Sequence, residues 1–386
     1  MRQLYLAATG QNRGKTTTAL GLVDGFRRRG LHTGFIKPVG QRTVIDNGQP
    51  ADEDAVLMKS IFDLPEPYSV MSPVHIPRGF TKSYIAGQVV EDLGARITAA
   101  HRVFADHDVL LIEGTGHAGV GAVIGLSNAV VAQLLGAPAV IVSEGGVGRP
   151  IDEIVLNASH FAAHGVRVAG AIVNKVRIDE QPGIEETLRR GLELHGIPLL
   201  GVLPYRPILS NPTLGMILEG VGGTVIAPGP QPDRVIDNIA IGAMEPHHML
   251  ERVGPGTLVI VPGDREDVIL TLATAHLAGR ARAEVVEALV DETPGAVQAS
   301  PEQRALGMIL TGGYEPRPEV IDTIRRAGMF AAFAPDDTYK VASEIHDLLV
   351  KTHPSDGGKI TLIKDLVWEH LKLDPVLAAA EVAAVG

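Results

Sequence analysis

The sequence predicts an α/β protein of two units, the first a doubly wound, mostly parallel sheet and the second smaller. Three observations carry this reading. Apolar, β-branched runs alternate with amphipathic stretches over the first half; a glycine-rich loop ending Gly14-Lys15-Thr16 follows the first run; and the strand–helix rhythm restarts after about Ile217. Continuous apolar runs of this kind read as strands buried on both faces of a parallel sheet. The alternation places a ligand at the C-terminal strand ends.

The expected strands of the first unit are Leu4–Ala8, Thr33–Pro38, Val109–Glu113, Ala139–Ser143, Ala169–Asn174 and Leu199–Leu203, with helices at Thr16–Arg29, Ser127–Leu135 and Glu185–His195. In the second unit Thr224–Ala227, Leu258–Val261, Gly307–Thr311 and Phe330–Ala334 read as strands, with helices after Asp264, Arg317 and Thr338. The charged stretch Gly279 to Arg304 reads as an insertion carrying a helix from Arg282 to Leu289. From Lys359 an amphipathic helix (Ile360, Leu362, Ile363, Leu366, Val367, Leu371) runs into a small-residue tail, Ala378 to Gly386, expected to be disordered. The resulting domains are 1–215, 216–350 and a C-terminal helix and tail, 351–386.

Composition narrows the function. A formal net charge of −11 opposes a nucleic-acid partner. The basic run Arg27-Arg28-Arg29 closes a helix, where cations suit the dipole. With no cysteine in the chain, disulfides, thiolate metal sites and thiol nucleophiles are excluded. The N-terminus runs straight into a strand without a signal pattern. The longest apolar stretch, Ala129 to Val142, is broken by Gln133, Gly136 and Pro138, too short to span a bilayer. A cytoplasmic protein without a membrane partner is expected.

Thr9-Gly10-Gln11-Asn12-Arg13-Gly14-Lys15-Thr16-Thr17 lies between a predicted strand and a predicted helix, the setting of a P-loop. Small residues let backbone N–H groups converge on phosphate oxygens at a helix N-terminus. Lys15 supplies charge to the β- and γ-phosphates of ATP, and the Thr16 hydroxyl is suited to Mg²⁺. Thr9 stands where the usual pattern begins with glycine. Glu113, closing an apolar strand, offers the metal a carboxylate, with an exposed strand-end Glu as the alternative. Asp52-Glu53-Asp54, on a mobile-looking segment, is either a second metal carboxylate, taken as Asp54, or a surface acidic cluster. Lys37 ends the second strand and should face the P-loop. His117, in the glycine loop Gly114 to Gly121, is either a base or a solvated histidine. Asn174 ends the fifth strand where a base-reading amide would sit. Arg177 occupies the place where guanine would require an acid, so adenine is favoured.

The residues Thr9, Lys37-Pro38-Val39, Glu113-Gly114 and Asn174 resemble dethiobiotin synthetase and its relatives. A closer resemblance covers nearly the whole chain: the N-terminal regulatory region of long phosphotransacetylases, a dethiobiotin-synthetase-like domain followed by a DRTGG domain. It is carried in the second half by Gly242-Ala243-Met244, Pro262-Gly263-Asp264-Arg265 and Leu310-Thr311-Gly312-Gly313-Tyr314-Glu315. The chain stops where the acetyl-transferring domain of those enzymes would begin, so the resemblance does not extend to that activity. Some of them lack the P-loop lysine that Lys15 supplies here. Proteins of this shape also resemble cobyrinic acid a,c-diamide synthase, whose glutaminase half needs a cysteine that this chain lacks.

Three functions fit these expectations. The first is a nucleotide and metabolite sensor acting on a partner enzyme of acetyl-phosphate metabolism. The second is an ATP-dependent ligase-like enzyme activating a small carboxylate or carbamate, with Lys15 and Lys37 catalytic. The third, a partitioning or delivery ATPase, lacks the extra lysine such proteins carry near the P-loop start, where Ala8, Thr9 and Gly10 stand. The strand-end loops at Asp264-Arg265 and Thr311-Gly312-Gly313 either bind a small anionic metabolite or serve as turns. The resemblance also makes a homodimer an expectation, since relatives build the substrate site between subunits.

Overall fold

The computed structural model describes residues 1–229, 232, 234–290, 305–346, 348 and 351–381, and of 280–290 the backbone alone. Two compact units divide the chain, Met1–Arg206 with Thr352–Gly386, and Pro207–Lys351. The C-terminal segment therefore belongs to the first unit rather than standing apart.

In the first unit the order begins β1 (Arg2–Ala8), α1 (Lys15–Arg28), β2 (Thr33–Ile36), β3 (Val39–Gly40), β4 (Thr43–Asp46), β5 (Gln49–Asp52), α2 (Glu53–Phe62), α3 (Tyr68–Met71), β6 (Val74–His75) and α4 (Phe80–Ile85). It continues α5 (Leu93–Arg102), β7 (Val109–Glu113), α6 (Asn128–Leu134), β8 (Ala139–Glu144), α7 (Gly148–Ala163), β9 (Val168–Val176), α8 (Ile184–Glu193) and β10 (Leu199–Pro204). Six strands form one parallel sheet in the order β10-β9-β8-β1-β7-β2. The chain goes from β1 to β2, returns to β7 between them, then crosses to β8 on the other side of β1. Strand order thus reverses beside β1, the position where ligands bind in open α/β sheets. Alternation along the strands sends Tyr5, Leu110, Ile112 and Ile141 into one core with Ile97 of α5, Val131 of α6, Ile154 of α7 and Leu188 of α8. Each such fully buried aliphatic contributes roughly 1.5–3 kcal/mol.

The second unit contains α9 (Pro207–Ser210), α10 (Leu214–Gly220), β11 (Thr224–Ala227), β12 (Asn238–Ile241), α11 (Pro246–Leu250), β13 (Thr257–Pro262), α12 (Glu266–Val290), β14 (Gly307–Thr311), α13 (Pro318–Ala327), β15 (Phe330–Phe333) and α14 (Thr338–His346). Its sheet runs β11-β15-β14-β13-β12, parallel except for β11. The sequence predicted four of these strands and missed β12, whose Asn238, Ile239 and Ile241 are exposed and give no buried-strand pattern. The expected insertion helix Arg282–Leu289 is the continuation of α12, and residues 291–304 lie outside the described residues.

After the second unit the chain returns as α15 (Gly357–His370) and α16 (Leu373–Ala379). These pack on α1 through two glycines one turn apart. A Cβ on Gly21 would lie 2.3 Å from the Val367 Cβ, and one on Gly25 would lie 2.8 Å from a Leu373 methyl. Around this contact Lys364 pairs with Asp24 at 3.3 Å, Arg28 pairs with Asp365 at 3.2 Å, and Arg29 pairs with Asp374. The tail expected to be disordered is partly fixed: Ala380 is fully buried and its carbonyl accepts the Gln3 N–H at 3.0 Å. Residues 382–386 lie outside the described residues. Among the described residues no helix is long and apolar enough to cross a membrane.

This glycine contact gives a direct check. Gly21→Ala gains helix propensity of roughly 1 kcal/mol but overpacks against a stiff valine, at about 1–3 kcal/mol. Urea denaturation should show net destabilisation in the wild-type background and a smaller cost in a Val367→Gly background, which removes the facing Cβ.

Candidate functional site

The phosphate-type loop lies at the end of β1, beside the strand-order reversal. Asn12 (φ 58°) and Gly14 (φ 88°) both adopt left-handed backbone. At Gly14 a side chain is barred twice, by that φ and by Asn174, whose Nδ2 would lie 1.9 Å from an added Cβ. The ends of β8 and β9 hold the loop. Asn174 Nδ2 donates to the Arg13 carbonyl at 3.2 Å, and Lys175 Nζ donates to the Asn12 carbonyl at 2.8 Å. The Arg13 guanidinium pairs with Glu144 and lies 3.8 Å from Glu153, while the Thr9 and Ser143 hydroxyls are 3.2 Å apart. Gly14 gives α1 no side-chain cap, so the first-turn N–H groups of Lys15, Thr16 and Thr17 remain suited to an anion. Gly10 and Gln11 complete the loop between β1 and α1. Glu144 and Glu153 were not singled out from sequence; Glu144, closing an apolar strand as Glu113 does, was the available signal.

Behind the loop is a buried charge cluster. Lys37 Nζ, just past β2, lies 2.5 Å from Asp54 Oδ2 and 3.0 Å from Glu113 Oε1. The Thr16 hydroxyl lies 3.1 Å from Asp54 Oδ1 and 3.0 Å from Glu113 Oε1. Exposure is 4% for Lys37 and nil for Glu113. Adjacent strands deliver these groups: β2 and β7 pair in register from Thr33 with Val109 to Ile36 with Ile112, so Lys37 and Glu113 emerge side by side. Asp54 arrives from the other direction. Asp52 caps α2 by accepting the Asp54 N–H at 3.1 Å, fixing Asp54 in the first turn. The segment is thus a capped helix start rather than a mobile stretch. Of the acidic triplet only Glu53 follows the surface pattern, 3.6 Å from Arg42.

Burial and charge pull these groups apart in proton affinity. Burial pushes the Glu113 carboxyl up to about 7, with Lys37 opposing and Asp54 assisting. Burial works in the same direction on Asp54, but the Lys37 ammonium and the Thr16 hydroxyl outweigh it and hold Asp54 below the usual carboxylate range. For Lys37 burial favours the neutral amine, and Asp54 and Glu113 more than reverse it, so its charge is secured. Lys15 is drawn down to about 8 by burial and then by Lys37. Among the described residues Lys15 makes no ion pair.

The donor set fits a small, hard cation. It combines one hydroxyl with two carboxylates, the complement of oxygens that Mg²⁺ takes from protein when phosphates supply the rest. Glu113 Oε2 is buried without a hydrogen-bond partner, an orphaned acceptor inside the cluster. No group of three or more His, Cys, Asp or Glu residues suited to a metal occurs among the described residues.

Residues 114–121, directly after Glu113, form a loop fixed by side chains of neighbouring elements. Asn128 holds it: Oδ1 accepts the Tyr5 hydroxyl at 2.8 Å and the Thr115 N–H at 3.0 Å, and Nδ2 donates to the Thr115 and His117 carbonyls at 2.7 and 2.6 Å. Asn157 Oδ1 accepts the Ala118 N–H at 2.8 Å, and the Thr115 hydroxyl donates to the Val39 carbonyl at 2.6 Å. Sequence reading missed Asn128 and Asn157; an Asn set on the apolar face of a helix was the signal. His117 is exposed and its Nδ1 accepts the Gly119 N–H at 3.2 Å, so this geometry gives it no partner that would make it a base.

In the second unit the strand-end loops are occupied with themselves. Arg265 donates to the Met244 carbonyl at 3.1 Å and to Asp267 at 2.9 Å, and Arg317 pairs with Glu266. The Thr311 hydroxyl is 2.7 Å from that of Thr338, and Gly312 and Gly313 both have positive φ. His247 and His248 lie beside Glu245 and Glu251 at 3.6 and 3.7 Å.

Fold and loop together define a P-loop NTPase-like protein. Residues 2–213 match the family model described as an AAA domain, and the chain belongs to that family. Residues 216–348 match the model of the DRTGG domain. The chain is similar to the phosphate acetyltransferase of Pseudomonas putida, 28% identical over 390 residues covering 96% of this chain and 51% of that one. It is likewise similar to that of Deinococcus radiodurans, 25% identical over 400 residues covering 100% and 52%. The chain thus spans about half the length of the curated relatives it matches. Among solved structures, MinD of Aquifex aeolicus is similar at a TM-score of 0.36 and 13% identity over 54% of this chain and 84% of that one. The CBS and DRTGG domains of the Clostridium perfringens pyrophosphatase regulatory region, complexed with diadenosine tetraphosphate, are similar at 0.28 and 17% over 40% and 62%.

The hydrogen bonds of Asn128 yield an expected outcome. Asn128→Ala leaves buried donors and acceptors unsatisfied, at roughly 1–3 kcal/mol each. Amide hydrogen exchange should speed up at Thr115, whose N–H Asn128 accepts, while β8 and β9 remain protected. Unchanged exchange at Thr115 would show that the loop is held otherwise.

Proposed function

We propose that the first unit binds a magnesium complex of ATP and that the chain is a nucleotide sensor acting on a partner enzyme of acetyl-phosphate metabolism. The observation that carries the reading is the convergence of Asp54 and Glu113 on Thr16, at 3.1 and 3.0 Å, in the first turn of the P-loop helix. In this reading Gly10 to Thr17 wrap the phosphates with backbone N–H groups, and the Lys15 ammonium neutralises the β- and γ-phosphates. Thr16, Asp54 and Glu113 would hold Mg²⁺, which when bound offsets charge between phosphates. Asn174 keeps its Oδ1 as an acceptor for an exocyclic amine while Nδ2 stays on the loop, which suits adenine. The sensor part is supported by the relatives: a chain of this domain order makes up half of phosphate acetyltransferases that carry that activity in their names.

A second reading, an ATP-dependent ligase acting on a small carboxylate or carbamate, has one specific support. The Thr115 hydroxyl ties the fixed glycine loop to the strand end after Lys37, so Lys37 and the loop could frame an acceptor.

Calorimetry and phosphate release separate the readings. The wild type should bind Mg-ATP, and Lys15→Ala should bind it about 10–100-fold more weakly, the loss of a charge-assisted contact. Bound ATP should persist, with or without a small-metabolite extract, and the activity of an added phosphate acetyltransferase should change with ATP only when this chain is present. Phosphate release that needs both Lys15 and the extract would contradict the sensor and establish the ligase.

A further inference from the structure

The buried cluster contains a conflict. Three of the four carboxylate oxygens that face Thr16 and Lys37 are already engaged: Asp54 Oδ2 and Glu113 Oε1 by Lys37, and Asp54 Oδ1 by the Thr16 hydroxyl, which also reaches Glu113 Oε1. One hydroxyl hydrogen cannot serve both carboxylates at once, so Thr16 has no donor to spare. Only Glu113 Oε2 lacks a partner. The ammonium of Lys37 therefore occupies the electrostatic centre of the site that a dication would need.

We propose that Lys37 is the resident counter-ion of the metal position: it excludes a free divalent cation and yields the carboxylates only when a nucleotide brings the metal with it. This rests on the reading of the site as a magnesium-nucleotide site.

Charge balance supplies the reason. Lys15 and Lys37 lie close enough to each other and to Asp54 and Glu113 to perturb one another, and buried Asp52 adds a third carboxylate whose charge acts on Lys37. A dication arriving alone would add two positive charges beside the two ammoniums, more than the carboxylates balance, around a Lys37 with 4% exposure and a Glu113 with none, where unpaired charge is strongly disfavoured. A nucleoside triphosphate carries more negative charge than one dication, so the complex brings a net anion. Its phosphates offer the Lys37 ammonium a new partner, and the carboxylates turn to the ion. Metal and nucleotide thus bind as one unit, each raising the affinity of the other by the same factor. Asp54 is the group most committed to the exchange, because it has the 2.5 Å contact with Lys37.

The test is Mn²⁺ binding, read by electron paramagnetic resonance of the free ion and independent of turnover. Three proteins are compared without nucleotide: wild type, Lys37→Met and Glu113→Gln, each checked for a wild-type thermal transition. The wild type should hold Mn²⁺ no better than Glu113→Gln, and Lys37→Met should hold it at least tenfold more tightly. With a non-hydrolysable ATP analogue, the wild type should gain at least tenfold in Mn²⁺ affinity. Wild-type protein binding free Mn²⁺ tenfold better than Glu113→Gln overturns the counter-ion role by itself, with no need for the Lys37 variant. Equal Mn²⁺ affinity in wild type and Lys37→Met, with the analogue still tightening the wild type, also overturns that role but leaves the nucleotide site standing. An analogue that binds in no arm overturns the nucleotide site.

Discussion

A lysine ammonium held between two carboxylates, out of water and beside a helix N-terminus, is the constraint around which the first unit is arranged. Lys37, Asp54 and Glu113 come from the end of β2, the start of α2 and the end of β7, with nil to slight exposure. A buried ion pair is weak evidence for stability, because replacing it with apolar residues is often neutral or favourable. Such a cluster at the strand-order reversal is therefore not accounted for by folding stability alone. The surrounding hydrogen bonds have the same logic. Asp52 fixes the helix start that presents Asp54, Asn128 fixes the loop opposite, and Asn174 and Lys175 fix the phosphate loop from below. Each is a side chain spent on backbone rather than on solvent, which keeps the site's geometry from relaxing when it is empty.

Legibility in the sequence followed burial. The six strands of the main sheet announce themselves as continuous apolar runs, because both faces are covered and exposure is confined to positions near their ends, such as Arg2, Glu144 and Lys175. The phosphate loop was equally plain, since Gly14-Lys15-Thr16 at a strand–helix junction leaves few other roles. Glu113 could be read because a carboxylate ending an apolar strand stands out. The hairpin of β4 and β5 and the edge strand β12 gave no such signal, being mostly exposed. Asp54 could not be separated from Asp52 and Glu53 by sequence, because the distinction depends on which residue caps α2. Asn128 and Asn157 were harder to read for a different reason: an Asn on the apolar face of a helix marks a buried partner, but which loop it holds is defined only by the packed helices.

The route of the chain adds a connection between the site and its own C-terminal segment. Helix α1, whose first turn carries Lys15 and Thr16, packs through Gly21 and Gly25 on Val367 and Leu373, and Gly201 of β10 meets Leu371 of the same segment. Residues that follow the second unit in sequence thus complete the layer beside the phosphate-loop helix. A shift of α1 on filling the loop would be felt there first, and the chain's single tryptophan, Trp368, lies over Arg28 of α1 at 5.2 Å.

The central claim is that the Lys37–Asp54–Glu113 cluster and the P-loop are one site. A crystal structure of the wild type with magnesium and a non-hydrolysable ATP analogue tests it most directly. The account requires the metal among Thr16 Oγ1, Asp54 and Glu113, phosphates on the N–H groups of residues 10–17, and Lys37 Nζ moved onto phosphate. A nucleotide bound with Lys37 still seated between the two carboxylates, or with no metal in contact with Glu113, would contradict it.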